Sequence, residues 1–173
     1  MMRIAFIGKM STGKTSLTDY LVEKYGVTKL SFAEPVKEIA VKYFGMDINK
    51  KDRNILQGVG CKFREIRPLV WVDLLESKIE HNKAYVIDDV RFINEAIRLK
   101  ELGFLIIRLQ TILEKRISRV KDLYPDVTEV QLNDISEFEI DEIVEFDYIL
   151  FEYPKMLLQE KINSLESIIE EVY

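Results

Sequence analysis

The amino-acid sequence predicts an α/β protein, a parallel sheet covered by helices on both faces. Three observations predict it. Short apolar runs that read as strands alternate along the chain with segments whose apolar residues recur at helical spacing. A glycine-bearing loop, GKMSTGKTS at residues 8 to 16, follows the first of these runs and opens the first helix. A chain of 173 residues without internal repeats or low-complexity linkers fits one domain, spanning 1–173.

The elements follow in order. Arg3 to Ile7 reads as a short buried strand, and 14 to 25 as a helix with Leu17, Leu21 and Tyr25 on one face. Leu30-Ser31-Phe32 is a weaker strand candidate. Pro35 suits the first turn of a helix reaching about Phe44. Residues 45 to 67, which hold Gly45, Gly58 and Gly60, read as irregular, and a helix from about Pro68 to Glu80 follows. Ala84 to Ile87 is a strand ending in Asp88-Asp89. Ile93 to Leu102 is helical and Gly103 stops it. Phe104 to Leu109 is a strand and 111 to 122 a helix. Residues 147 to 151 form the last strand, and Pro154 opens a final helix carrying Leu158, Ile162, Leu165, Ile169 and Val172 at helical period. The stretch from Glu129 to Asp147 holds eight acids and no Lys or Arg, and reads as a solvated acidic face.

Composition excludes several function classes. The net charge of −5, with no polybasic run, argues against a nucleic-acid backbone or an anionic membrane as partner. One cysteine, Cys61, gives neither a disulfide framework nor a thiolate metal cluster. One histidine, His81, excludes His-rich zinc sites. No stretch approaches the roughly 18 apolar residues of a membrane helix, and no signal-peptide pattern is seen, so the expected location is cytoplasmic.

The loop carries the chemistry. Gly8-Lys9-Met10-Ser11-Thr12-Gly13-Lys14-Thr15 matches G-x-x-x-x-G-K-[ST] without departure, in the strand–loop–helix context the pattern requires. Its backbone N–H groups, with Ser16 in the first helical turn, are expected to cradle the phosphates of a nucleoside triphosphate. Lys14 is expected to reach the β- and γ-phosphates and the Thr15 hydroxyl to ligate Mg²⁺. Such a site needs an acid at the end of a neighbouring strand, holding the metal through water. Asp88 and Asp89 are the candidates, and alternation along a strand lets only one of them face it.

A switch GTPase would need a base-reading Asn-Lys-x-Asp segment after a strand; NKKD at 49 to 52 comes too early and follows none. Cations instead accumulate where a second phosphate could lie: Lys37, Arg53, Arg64 and Arg67 before the third strand, Arg91 beyond it, and Arg116 and Arg119 on one face of a later helix. In an acidic protein this pattern favours a second phosphate-bearing substrate. Transfer between two phosphorylated molecules is mostly positioning and charge neutralisation, which suits Lys and Arg.

SFAEPVKEIA, RNILQGVGCKFREIRPLVWVDLL and VIDDVRFINEA, in this order, resemble the bacteriophage-type deoxynucleoside monophosphate kinases, P-loop phosphotransferases related in fold to adenylate kinase. The resemblance spans residues 4 to about 109. It implies the three-layer P-loop NTPase fold with a five-stranded parallel sheet of order 2-3-1-4-5, an acceptor-binding region at 33–71 and a lid at 110–146. It implies transfer of the γ-phosphate of ATP to a (deoxy)nucleoside monophosphate, in deoxynucleotide metabolism, with Mg²⁺. By the same resemblance Asp89 is the magnesium-side acid and Arg91 a ligand of the acceptor phosphate. Lys37 and Arg64 sit where the family places phosphate contacts, Gln57 and Trp71 fall in the region that meets the acceptor's base or sugar, and Arg116 and Arg119 are lid arginines. Arg53, from the cation cluster, is a further substrate-binding candidate. Kinases of this kind include homodimers, but no distinctive seam is visible. Ile93 stands where the family has proline. Two other readings share the loop: a kinase of another small phosphorylated metabolite, of the dephospho-coenzyme A or phosphomevalonate type, and a nucleotide-binding regulator without an acceptor.

Overall fold

The computed structural model of the chain describes residues 1–50, 52–123 and 140–173. The acidic run up to 139, and with it residues 124–139 of the expected lid, lies outside the described residues. Among the described residues the elements run β1 (Arg3–Ile7), α1 (Lys14–Tyr25), β2 (Thr28–Leu30), α2 (Ala33–Phe44), α3 (Arg53–Ile66), α4 (Val70–Glu76), β3 (Tyr85–Val90), α5 (Ile93–Glu101), β4 (Leu105–Thr111), α6 (Leu113–Leu123), β5 (Tyr148–Glu152) and α7 (Leu158–Val172), with three helices between β2 and β3. The sheet is parallel, in the order β2-β3-β1-β4-β5.

The chain divides into two compact units. One comprises Met1–Lys29 with Asn82–Tyr173, the other Leu30–His81. In the first, Ile4 and Phe6 of β1 share a core with Leu17 and Leu21 of α1 and with Ile162, Leu165 and Ile169 of α7. Residues at odd positions of β1 face the other way, and Ala5 and Ile7 are fully buried too, as are Ala96 and nearly Leu99 of α5. The sheet is therefore covered on both faces, as the all-apolar β1 requires. In the second unit α2 packs on α3. Trp71 of α4, 1% exposed, stacks on Phe63 at 5.4 Å, and its indole N–H donates to the Gly60 carbonyl at 3.1 Å.

Four elements differ from the expectation. The second strand lies at Thr28–Leu30 rather than 30–32, because Thr28 N–H already bonds the Ala84 carbonyl and Ser31-Phe32 lead into α2. The stretch read as irregular contains α3. Gly58 and Gly60 weaken its helical signal, but Asp52 caps it, accepting from Asn54 and Ile55 N–H at 3.0 and 3.1 Å. The helix expected from 68 to 80 is shorter, Val70–Glu76. The last helix starts at Leu158 rather than at Pro154, since a turn from Tyr153 to Met156 intervenes and Glu160 accepts from Leu157 N–H at 2.6 Å.

Candidate active site

The loop Gly8–Gly13 joins the carboxyl end of β1 to the start of α1, at the crevice where the strand order reverses, the usual ligand position in open α/β sheets. Its geometry is tight. A Cβ on Gly8 would stand 2.7 Å from the Leu109 carbonyl oxygen, so β4 passes directly against the loop. Ser11 (φ 63°) and Gly13 (φ 86°) take the left-handed conformation, which costs a non-glycine residue about 1–2 kcal/mol. Thr12 braces the bend, its hydroxyl donating to the Lys9 carbonyl at 2.9 Å. Ser11 Oγ is buried without a hydrogen-bond partner among the described residues. A buried orphan hydroxyl in such a loop calls for a ligand acceptor. Lys14 Nζ folds over the loop and donates to the Gly8 and Lys9 carbonyls at 2.5 and 2.9 Å. Thr15 and Ser16 are exposed in the first turn of α1.

Cations surround the loop. A cavity of about 170 Å³ beside it is lined by Gly8, Lys9, Thr12, Arg108, Arg116 and Asp141, among others. Asp141 pairs with Lys9 at 2.5 Å, while Arg108 donates to the Ile140 and Ile143 carbonyls. A larger cavity, about 530 Å³ between β5 and α7, touches no residue of the loop. Arg119 of α6 lies behind the loop, its guanidinium 3.5 Å from the Ser11 carbonyl and bidentate on Glu152 at 2.8 and 2.5 Å.

The two aspartates are not equivalent. Ala5 pairs with Ile87 and Ile7 with Val90, so a bulge sets Asp88 and Asp89 together opposite Phe6 and disturbs simple alternation there, as bulges beside active sites do. Asp88 is 8% exposed and held by Lys29 at 2.7 Å, whereas Asp89 is half-buried. Glu95, 1% exposed, accepts from the backbone N–H groups of Arg91 and Phe92 at 2.9 and 3.2 Å. Those two bonds hold the Arg91-Phe92 link between β3 and α5.

The structure thus brings Gly8, Ser11, Thr12, Gly13, Lys14, Thr15 and Ser16 into one loop and helix start, with Arg116 and Arg119 next to it. Asp89 and Arg91 close the carboxyl end of β3 in the same unit. Lys37, Arg53, Gln57, Arg64 and Trp71 belong to the other unit. There Lys37 is exposed, Arg53, Gln57 and Arg64 are half-buried, and Trp71 is core. Sequence reasoning missed Glu152, Lys161, Glu95 and Lys29. Among the described residues no three His, Cys, Asp or Glu side chains gather to hold a metal. Hard oxygen donors, Thr15 and Asp89, suit an Mg²⁺ that keeps water and phosphate as its other ligands.

A family profile described as an AAA domain matches residues 4–141. A protein of Acanthamoeba polyphaga mimivirus named "Putative deoxynucleotide monophosphate kinase" is 25% identical, covering 81% of this chain and 86% of its own length. Two uncharacterized proteins of Ictalurid herpesvirus 1 (strain Auburn) are also similar. ORF76 is 35% identical over 58% of this chain, which spans only 44% of that relative. ORF77 is 32% identical over 79% of this chain and 66% of its own length. Among solved structures, a shikimate kinase from Acinetobacter baumannii in complex with shikimate aligns with a TM-score of 0.61 at 19% identity, covering 99% of this chain and 93% of its own. A gluconokinase from Sinorhizobium meliloti 1021 aligns with a TM-score of 0.58 at 13% identity, covering 99% and 95%. At these identities the likeness is one of fold. No described helix is long and apolar enough to cross a membrane.

Proposed function

The chain belongs to the AAA-domain family and has the fold of the small P-loop kinases, and from that premise we propose that it transfers the γ-phosphate of ATP to a (deoxy)nucleoside monophosphate, giving ADP and the nucleoside diphosphate. The observation that carries the reading is the unbroken phosphate loop, with its orphan Ser11 hydroxyl and Lys14 folded over it. The mimivirus relative's name supports the acceptor class.

The chemistry asks little covalent work of the protein. An oxygen of the acceptor's phosphate attacks the γ-phosphorus of ATP, and the bond from that phosphorus to the β–γ bridging oxygen breaks as ADP leaves. The backbone of residues 8–13 and the Ser11 hydroxyl hold the donor phosphates, and Lys14 neutralises charge on the group in transit. Thr15 and Asp89, the latter through water, would hold Mg²⁺, which supplies further charge neutralisation on the β- and γ-phosphates. Asp88 pairs with Lys29; the choice of Asp89 for the metal side rests on the resemblance of Asp89-Val90-Arg91 to the kinase motif. Arg116, in the cavity wall beside Lys9, reaches the transferring phosphate from the lid side, and Arg119 supports the loop from behind. We assign Arg91 to the acceptor's phosphate and, within the unit Leu30–His81, Lys37, Arg53, Gln57 and Arg64 as acceptor-binding candidates. Trp71, locked on Gly60 and Phe63, fixes the helix that carries Arg64.

Asp89→Asn should lower Mg²⁺-dependent turnover much more than Asp88→Asn, and titrating Mg²⁺ at saturating ATP checks it. The reverse order would make Asp88 the metal-side acid. Equal mild effects would remove both from the metal's shell.

The acceptor is tested by ATP consumption with and without each nucleoside monophosphate, then by steady-state kinetics with each substrate varied in turn. Arginine's planar fork gives two parallel charge-assisted bonds to phosphate. Arg91→Lys keeps the charge and loses the fork, so it should raise the acceptor KM and leave ATP binding nearly unchanged. Arg64→Ala should act in the same direction. ADP release that needs no acceptor, or unchanged acceptor kinetics in both variants, would return the protein to the class of nucleotide-binding regulators.

A further inference from the structure

Behind the phosphate loop lies a buried ion cluster for which the transfer chemistry has no direct use. Its centre is Glu152 at the end of β5, 2% exposed. Lys115 and Arg119 of α6 reach its carboxylate at 2.6 and 2.5 Å, Thr111 donates to it at 3.0 Å, and Lys161 of α7 donates at 3.1 Å. Lys161 is itself 3% exposed, and its second bond goes to the loop: Nζ donates to the Thr12 carbonyl at 2.5 Å.

We propose that Lys161 is a positioning residue for the donor phosphates, acting through the peptide between Thr12 and Gly13, with Glu152 as its buried counter-charge. The inference rests on the reading that the loop holds a nucleoside triphosphate. Among the described residues every peptide bond is trans, and in a trans peptide the C=O and the following N–H point opposite ways. By drawing the Thr12 carbonyl towards the interior, Lys161 turns the Gly13 N–H towards the inside of the loop, where successive backbone donors form a concave anion site. Gly13 shows how closely the ammonium approaches, since a Cβ there would stand 2.9 Å from Lys161 Nζ. The rest of α7 fixes the lysine's height, with Ile162, Leu165 and Ile169 set in the core. The neighbouring carbonyl, Ser11, is met by the Arg119 guanidinium at 3.5 Å, so the cations that approach these two successive loop carbonyls both anchor on one carboxylate.

A salt bridge serving stability alone would change melting without changing how the loop reads phosphate. The test is therefore direct binding of ATP, ADP and inorganic tripolyphosphate by calorimetry, beside substrate kinetics. Lys161→Met has nearly the same length and no donor, and it leaves Glu152 paired with Arg119 and Lys115. It should bind all three probes about tenfold more weakly, the loss of one well-placed donor, with the acceptor KM unchanged. Lys161→Arg, which restores a buried cation and donor, should regain most of the affinity. If Lys161→Met does not melt cooperatively, the comparison passes to Lys161→Gln, which keeps an N–H donor without charge and should show a smaller loss. A folded Lys161→Met or Lys161→Gln protein that binds all three probes as the wild type does would overturn the positioning role. Wild-type protein that binds none of them would overturn the triphosphate reading itself.

Discussion

Phosphoryl transfer by Lys14→Ala is expected to fall by about 10²- to 10³-fold, the cost of removing a preorganised charge contact from a transition state, in a protein that still melts cooperatively. The side chain is half-buried at the start of α1, and alanine is a better helix former than lysine, so the helix itself loses nothing. The loop loses the two hydrogen bonds that Lys14 Nζ makes to the Gly8 and Lys9 carbonyls. Each is a contribution of about 1 kcal/mol at a half-exposed position, which leaves the domain folded. Single-turnover rates at saturating ATP, with far-UV circular dichroism as the control for folding, measure it. Near-normal turnover in a folded variant would remove this loop from the chemistry.

Glu152→Gln should cost the protein about 3–5 kcal/mol, as does removal of one partner from a buried ion cluster, because Lys161, Arg119 and Lys115 would then share a neutral amide. Burial pushes the Glu152 carboxyl up, but hydrogen bonds from Arg119 and Lys115 and the Lys161 charge outweigh it and bring it well below the usual carboxylate range. Burial likewise pushes the Lys161 ammonium down, and Glu152 opposes that shift. The folded protein therefore keeps Glu152 ionised at pH values where the unfolded chain, with an ordinary glutamate near pH 4.3, has begun to take up a proton. The stabilisation is complete above that pH and drains away below it. Urea midpoints taken between pH 5 and pH 3 should fall steeply for the wild type and less steeply for Glu152→Gln. Parallel curves for the two proteins would mean that other carboxylates carry the acid sensitivity.

The loop was legible in the sequence because its glycine and lysine spacing, set between a strand and a helix, needs no distant neighbour to be recognised, and the β3 end because two acids close an apolar run. The parallel sheet was legible because β1 is apolar at every position from Ile4 to Ile7 and so must be covered on both faces. The brace behind the loop was harder to see, since it is assembled from β4, β5, α6 and α7, whose meeting only the fold decides. Two weak signals were present. Glu152 stands in phase with Leu150 on the buried face of β5, and Lys161 falls four residues before Leu165 and eight before Ile169, inside the apolar stripe of α7. A charge in phase with a core is a sign of a buried pair. Helix α3 escaped because Gly58 and Gly60 spoke against it locally, while its cap, Asp52, sits in a segment that reads as a loop.

The strand order has a consequence for the time course of folding. The central strand, β1, is the first to be made, yet Ile4 takes its neighbours from Val86 on one side and Leu105 on the other. During synthesis the most apolar strand must wait, unpaired, until both partners have emerged. Pairings so remote along the chain make folding slow, and a waiting apolar strand is open to the wrong partner. Residues 30–81 pack as a compact unit of their own, so their collapse can occupy that interval and shorten the effective separation between β1 and β3.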